Sequence, residues 1–309
     1  MRGALLAVLL ILTAFASSAD AAQRKKPVEA SIARIPAKIL FSKARAPAEL
    51  APQSIGGYAD GCLAGGDELA LTDPATLPAW QVMRPSRNRN WGNPVLIDFL
   101  ERFARQARDS GDWPGLLVGD LAQPRGGPML SGHASHQIGL DADIWLTPMP
   151  ARILTPKERE TMVPRKVVKS HFDIDPKIWT DAHAKIISRA AKDKNVARIF
   201  VHPPIKKALC EWAGKTGDRR WLAKVRPYYG HDYHFHIRLR CPPGNKACKN
   251  QPEPNPADGT GCGAELAGWL SKDFWARRQP AAPGKPIKPA PALTLAALPA
   301  ACKTVLASP

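Results

Sequence analysis

Five of the eight histidines in this chain, His133, His136, His231, His234 and His236, fall in two short segments. The first runs Ser131-Gly-His133-Ala-Ser-His136-Gln-Ile-Gly-Leu-Asp141-Ala-Asp143, and the second runs Gly230-His231-Asp-Tyr-His234-Phe-His236. Neutral imidazole and carboxylate are ligands that a divalent zinc takes readily, and a catalytic zinc keeps three protein ligands with a fourth position open for water. His136, Asp143 and His236 supply such a set. His234, two residues before His236, shares its face if the segment is a strand, because side chains alternate along extended chain. That leaves one imidazole to bind metal and one to move protons, a task suited to a group that titrates near pH 7. A lone His-x-His pair is more often a hydrogen-bonded structural feature than a ligand pair. Here two clusters coincide, each flanked by glycine and followed by a β-type run, Asp143-Ile-Trp-Leu and Phe235-His-Ile-Arg-Leu, which points to a metal site at strand ends.

The surrounding pattern indicates the elements that must hold these residues. Asn93-Pro94 caps and begins a helix through Leu96, Ile97, Leu100, Phe103 and Ala104, with a stop at Ser110-Gly111. The run from Gly115 to Leu121 reads as a strand. Thr155-Pro156-Lys-Glu158 has the form of a capping box with proline at the first helical position. Residues 181–194 form a second amphipathic helix, Val196 to Val201 a strand ending at His202-Pro203, and Lys206 to Ala213 a further helix carrying Cys210. Strands and helices in this order do not alternate regularly, so the fold class is α+β rather than a doubly wound sheet.

The ends of the chain differ from its middle. Residues 1–21 read as a secretory signal, with a basic start, an apolar core from Ala4 to Phe15 and small residues at the cleavage point before Ala22. That core is shorter than the roughly 20 residues a membrane span needs, so no transmembrane segment is expected once the signal is removed. Residues 22–53 are rich in Ala, Pro, Lys and Arg and read as an extended arm, and residues 279–309 are again Pro- and Ala-rich. Residues 54–278 are long enough for one domain with a substantial core.

Six cysteines in an exported chain imply disulfides rather than a thiolate metal site. Cys241 and Cys248 bracket a turn-forming Pro-Gly, and Cys302 would tie the C-terminal arm back, with Cys62 as its natural partner. The other pairings are not readable from spacing. The formal net charge is +17. Such a charge ordinarily suggests nucleic acid, but export argues against that partner and towards an anionic extracellular polymer or surface, or simply a well-solvated basic face.

An exported zinc site with an open position most often hydrolyses something, because metal-bound water has a lowered pKa. The sequence lacks H-E-x-x-H, G-x-S-x-G and S-x-x-K, so the expected reaction is direct attack by water without a covalent intermediate.

The spacing His136-x6-Asp143 followed by His234-x-His236 resembles the metal motif of peptidoglycan peptidases that include D-alanyl-D-alanine carboxypeptidases and VanX-type dipeptidases. Further segments are similar to the penicillin-insensitive murein endopeptidase family over roughly residues 50 to 305. They are Ser54 to Gly65, Trp80-Gln-Val-Met-Arg84-Pro-Ser-Arg87-Asn-Arg89-Asn-Trp91, Gly119 to Pro128, Ser131 to Trp145, Ala197 to Pro203 and Gly230 to His236. The resemblance implies an exported zinc enzyme of the periplasm that cuts D-alanyl to meso-diaminopimelyl cross-links between peptidoglycan stem peptides. It also implies a single α+β domain with a mainly antiparallel central sheet flanked by helices. On this reading His136, Asp143 and His236 hold zinc and His234 is the general base, while His133 and His231 lie near the metal with open roles. The implied disulfides are Cys62–Cys302, Cys210–Cys262 and Cys241–Cys248. Asp141 is either a hydrogen-bond partner of a ligand histidine or a surface residue. Arg125 and the Arg84 to Arg89 cluster are either contacts for stem-peptide carboxylates or a solvated basic face. His171, His183 and His202 are structural by default. Two rival readings remain, a zinc D,D- or L,D-carboxypeptidase acting on stem peptides and a non-catalytic cell-wall or metal-binding module.

Overall fold

The computed structural model describes residues 35–277 and 292–309. The expected signal segment, the first part of the N-terminal arm and the stretch 278–291 lie outside the described residues. The strands are β1 (Gln53–Gly57), β2 (Asp60–Ala64), β3 (Asp67–Glu68), β4 (Trp80–Val82), β5 (Trp91–Gly92), β6 (Leu116–Val118), β7 (Asp141–Trp145), β8 (Val196–Val201), β9 (Val225–Pro227) and β10 (His234–Leu239). The helices are α1 (Ala37–Phe41), α2 (Pro94–Asp109), α3 (Pro156–Thr161), α4 (Asp181–Lys192), α5 (Pro203–Thr216), α6 (Ala264–Trp269), α7 (Lys272–Ala276) and α8 (Ala301–Ala307).

The central sheet has six strands in the order β4-β6-β7-β10-β8-β9. Its middle pairings, β6 with β7, β7 with β10 and β10 with β8, are antiparallel, but β4 with β6 and β8 with β9 are parallel. The α+β class therefore stands, while the expected mainly antiparallel sheet is corrected to a mixed one. The cause lies in the connections. Parallel neighbours need a crossover, usually helical, and α2 lies between β4 and β6 as α5 lies between β8 and β9.

Local chemistry sets the helix ends. The Asn93 side chain accepts a hydrogen bond from the Val95 N–H at 3.2 Å, and Pro94 takes the first helical position. Phe99, Leu100, Phe103 and Ala107 of α2 are buried in the same core as Leu116, Val118 and Ile144 of the sheet. Helix α3 has the expected capping box between Thr155 and Glu158. Helix α4 stops at Lys192, earlier than the sequence suggests, where Asp193 Oδ1 accepts from the Asn195 N–H at 2.7 Å and turns the chain into β8. Helix α5 starts earlier than expected, because Pro203 and Pro204 fit the first turn, where no intrahelical donor is needed.

Disulfides join Cys62 to Cys302, Cys210 to Cys262 and Cys241 to Cys248, the three pairs named above. A second, smaller core forms around the first of them, where α1 and α8 meet the β1–β2 hairpin through Phe41, Ile55, Ala64, Leu298 and Val305. Gly126 is held close beneath this region at φ +62°, and a Cβ there would sit 2.0 Å from the Gln137 carbonyl oxygen.

Lys206 is a fully buried lysine on α5, its Nζ donating to the carbonyls of Leu222 and Thr260, both at 2.7 Å. Burial pushes its pKa down from 10.5 to about 7. Folding then binds fewer protons than the unfolded chain between those values, so this group adds stability as pH rises through the window and adds no further change below it. The stability of the wild type relative to Lys206→Met should rise by at most about 4 kcal/mol between pH 7 and 10, measured by denaturant unfolding. A difference that stays constant with pH would contradict this assignment.

Candidate metal centre

The antiparallel register of β7 and β10 sets His236 opposite Asp143, His234 opposite Trp145 and Arg238 opposite Asp141. Alternation then divides the two strands. Ala142, Ile144, Phe235 and Ile237 enter the apolar core, while Asp141, Asp143, His234, His236 and Arg238 share the other face. The loop before β7 delivers His136, whose backbone takes the left-handed conformation, φ 66°. Its N–H donates to Asp141 Oδ2 at 3.0 Å, which ties the loop to the strand that follows it.

Asp143 is the point of convergence. Its Oδ1 lies 3.4 Å from His136 Nε2 and 3.3 Å from His236 Nδ1. Its Oδ2 lies 3.6 Å from both His133 Nδ1 and His234 Nε2. Among the described residues, ligand atoms of His133, His136 and Asp143 all lie within 4.8 Å of one another, close enough to share a cation. Thus the structure gathers the sequence-predicted set of His136, Asp143, His234 and His236, and draws His133 in beside them. His231 stands further out, its ring 4.9 Å from that of His234 and 5.8 Å from that of His236, with Nδ1–H donating to the Tyr229 carbonyl at 3.0 Å.

The donor set fits a cation on one physical ground. Both ring nitrogens of His136, Oδ1 of Asp143 and Nδ1 of His234 are buried without a hydrogen-bond partner. Orphaned polar atoms of this kind cost stability unless something satisfies them, and imidazole nitrogens with a carboxylate oxygen are suited to a divalent ion such as zinc.

Two further carboxylates orient the histidines. Asp120 Oδ2 lies 2.9 Å from His133 Nε2 and also accepts from Arg87 at 3.0 Å and Arg89 at 2.9 Å. Burial alone would raise the Asp120 pKa, but the His133 contact and the two guanidinium groups outweigh it and hold the carboxyl at about 2. Asp141 lies with Oδ1 3.2 Å from His236 Nε2 and takes two bonds from Arg238, at 2.8 and 2.9 Å. It is completely buried and in contact with His236, so its reading as a surface residue is set aside. Burial opposes ionisation there too, yet Arg238 and His236 keep its pKa well below the ordinary carboxylate range. For His234, burial lowers the pKa, Asp143 opposes that, and the neighbouring histidines lower it again, so the balance favours the neutral ring.

The remaining candidates are placed elsewhere. Arg125 is engaged by the chain itself: its guanidinium donates to the carbonyls of Val305, Leu306 and Ser308 at the end of α8, and to Ala46. Those are the carbonyls a helix leaves without partners at its C-terminus. His183 bonds the start of α4 through Nδ1 and reaches the Leu146 carbonyl through Nε2 at 3.0 Å, a structural role. His202 occupies the N-cap position of α5 without a side-chain capping bond, and His171 stacks on Trp275 with ring centroids 3.8 Å apart. Asp120 and Arg238 were the functional side chains that sequence reasoning passed over. The period-two pattern His234, His236, Arg238 was the available signal for the second.

A family model described as penicillin-insensitive murein endopeptidase matches residues 54–307. The chain is 46% identical over 219 residues to a penicillin-insensitive murein endopeptidase of Haemophilus influenzae, covering 70% of this chain and 72% of that protein. It is 40% identical over 267 residues to the protein of that name in Yersinia enterocolitica, covering 84% and 87%. With the one in Klebsiella pneumoniae it shares 39% identity over 256 residues, covering 82% and 86%.

Replacing Arg238 by Met would leave Asp141 as a buried charge without its counter-ion, with an expected loss of about 3–5 kcal/mol. The double variant Asp141→Asn/Arg238→Met should lose less than Arg238→Met alone. Urea unfolding of both, compared with the wild type, checks the ordering; a double variant that loses as much as Arg238→Met or more would contradict the uncompensated charge as the source of the loss.

Proposed function

Because this chain belongs to the penicillin-insensitive murein endopeptidase family, we propose that it is a zinc-dependent endopeptidase that hydrolyses D-alanyl to meso-diaminopimelyl cross-links of peptidoglycan in the periplasm. The observation that carries the reading is the division of Asp143, with His136 and His236 on one oxygen and His133 and His234 on the other. In this reading His136, Asp143 and His236 are the zinc ligands and His234 is the general base. A zinc ion held there would polarise the scissile carbonyl and acidify the attacking water.

His234 is neutral and so can accept the proton that water releases as its oxygen bonds to the carbonyl carbon. When the C–N bond breaks, the same imidazole returns that proton to the departing amine. Asp141, held by Arg238, fixes the ring of His236, and Asp120, held by Arg87 and Arg89, fixes that of His133. His133 borders the same cavity as His234 and Asp143, where it can contact the substrate or pass a proton. His231 is pushed down to about 3, chiefly by burial and then by His234 and His236, and serves as a neutral wall of the site.

Export is supported by the three disulfides, which persist in oxidising compartments. No helix among the described residues is long and apolar enough to cross a membrane. The same reading takes residues 1–21 as the export signal, 22–53 as an arm, 54–278 as the endopeptidase domain and 279–309 as a C-terminal arm fastened through Cys302.

Purified protein should convert cross-linked muropeptide dimers to monomers, lose that activity to a chelator and regain it with zinc. His234→Ala should lower kcat by roughly 100-fold or more while binding zinc in the same stoichiometry as the wild type, and His136→Ala should lose both metal and turnover. Release of free D-alanine from monomeric stems without dimer cleavage would replace this reading with that of a carboxypeptidase. Unimpaired hydrolysis by His234→Ala would remove its role as base.

A further inference from the structure

We infer that Arg84 receives the carboxylate carried by the carbon next to the scissile nitrogen, and so sets the enzyme's preference for an acidic residue on the leaving side of the bond. The inference rests on the endopeptidase reading. Each of the two stereogenic carbons of meso-diaminopimelate bears both an amine and a carboxyl group. Whichever amine has formed the cross-link, a carboxylate sits on the same carbon as the nitrogen that departs. A substrate bound at the metal centre therefore brings an anion within a few bonds of Asp143 and His234, where a cation is required to receive it.

Three observations single out Arg84 among the arginines of this segment. It borders the same cavity as His133, Asp143, Trp145, Tyr233 and His234. Its guanidinium lies over the Trp145 ring, 5.7 Å from the centroid, and Trp145 stands two residues after Asp143 and opposite His234 in the β7–β10 register. Arg87 and Arg89 are already engaged by Asp120, whereas among the described residues no carboxylate pairs with Arg84. A planar guanidinium stacked on an aromatic face keeps its outward N–H groups aligned for a bidentate carboxylate, which an ammonium cannot match.

The backbone supports the same assignment. Arg84 has φ 56° and ψ 52°, the left-handed conformation, at a non-glycine residue that precedes proline. Such geometry persists only where the surroundings enforce it, and it gathers at functional sites. The enforcement is visible: the Arg84 N–H donates to Arg159 O at 3.0 Å, and the Arg84 carbonyl accepts from the Arg87 N–H at 3.0 Å. The Ser86 hydroxyl is fastened to Glu160 at 2.5 Å. The loop thus spends conformational freedom on aiming one side chain at the cavity.

The test uses the zinc-loaded full chain and two synthetic cross-linked dimers, one with a free carboxylate beside the scissile nitrogen and one with that group as a primary amide. Wild type should favour the free acid by roughly 10- to 100-fold in kcat/KM, the usual scale for a charge-assisted contact. In Arg84→Met the ratio between the two substrates should collapse to within about 3-fold, and Arg84→Lys should keep part of it. A ratio that survives in Arg84→Met, or a wild type indifferent to amidation, would overturn the assignment and leave Arg84 a solvated surface cation. Should the Met variant fail to fold, the wild-type ratio and the Lys variant carry the test. If the wild type cleaves neither dimer, the endopeptidase reading fails and the Arg84 assignment falls with it.

Discussion

The register between β7 and β10 governs everything else in this molecule. A slip by one residue would send Asp143 and His236 into the apolar core and expose Ile144 and Phe235 on the face that now carries the chemistry. Both strands lie inside the sheet, with β6 and β8 on their outer sides, so neither can slide without breaking a second set of backbone bonds. Burial of the apolar face thus fixes the polar face as a geometric consequence. The helices matter to the site mainly because α2 and α4 supply the apolar surface against which that choice is made.

A face that buries this many ionisable groups is costly, and the structure offsets the cost by pairing them in layers. Arg238 neutralises Asp141, Asp141 steadies His236 and the His136 loop, and Arg87 with Arg89 neutralises Asp120, which steadies His133. Buried polar atoms without a partner recur on His136, Asp143, His234 and His236, beside single ones elsewhere, on Trp113 and Asn245 among others. Several unsatisfied ring nitrogens and a carboxylate oxygen gathered on one face fit a site that holds a ligand.

Much of this was legible because it is local. The alternation His234, Phe235, His236 needs only the period of a strand, and the Asn93 cap and the Thr155 to Glu158 box need only neighbours within one helical turn. Other features were illegible because they depend on distant partners. Arg238 meets Asp141 across 97 positions of chain, and Arg125 meets the end of α8 across about 180, so sequence reading assigned Arg238 no role and left Arg125 open between a substrate contact and a solvated basic face. The mixed character of the sheet was hidden for a related reason. The helical patterns of α2 and α5 were readable, but whether a helix returns the chain to a parallel neighbour is decided by which strands pair, and the shortness of β4, β6 and β9 gave little periodicity from which to judge it.

The bond between Cys62 and Cys302 spans 240 positions and couples α8 to the hairpin that supports the His136 loop. That support is direct, since Gln137, adjacent to His136, donates to the Ala59 carbonyl and accepts from the Gly61 N–H. A chain emerging through a translocation pore in order would present the histidines long before the cysteine that locks their backing in place. Closure of that backing therefore awaits both α8 and an oxidising surrounding.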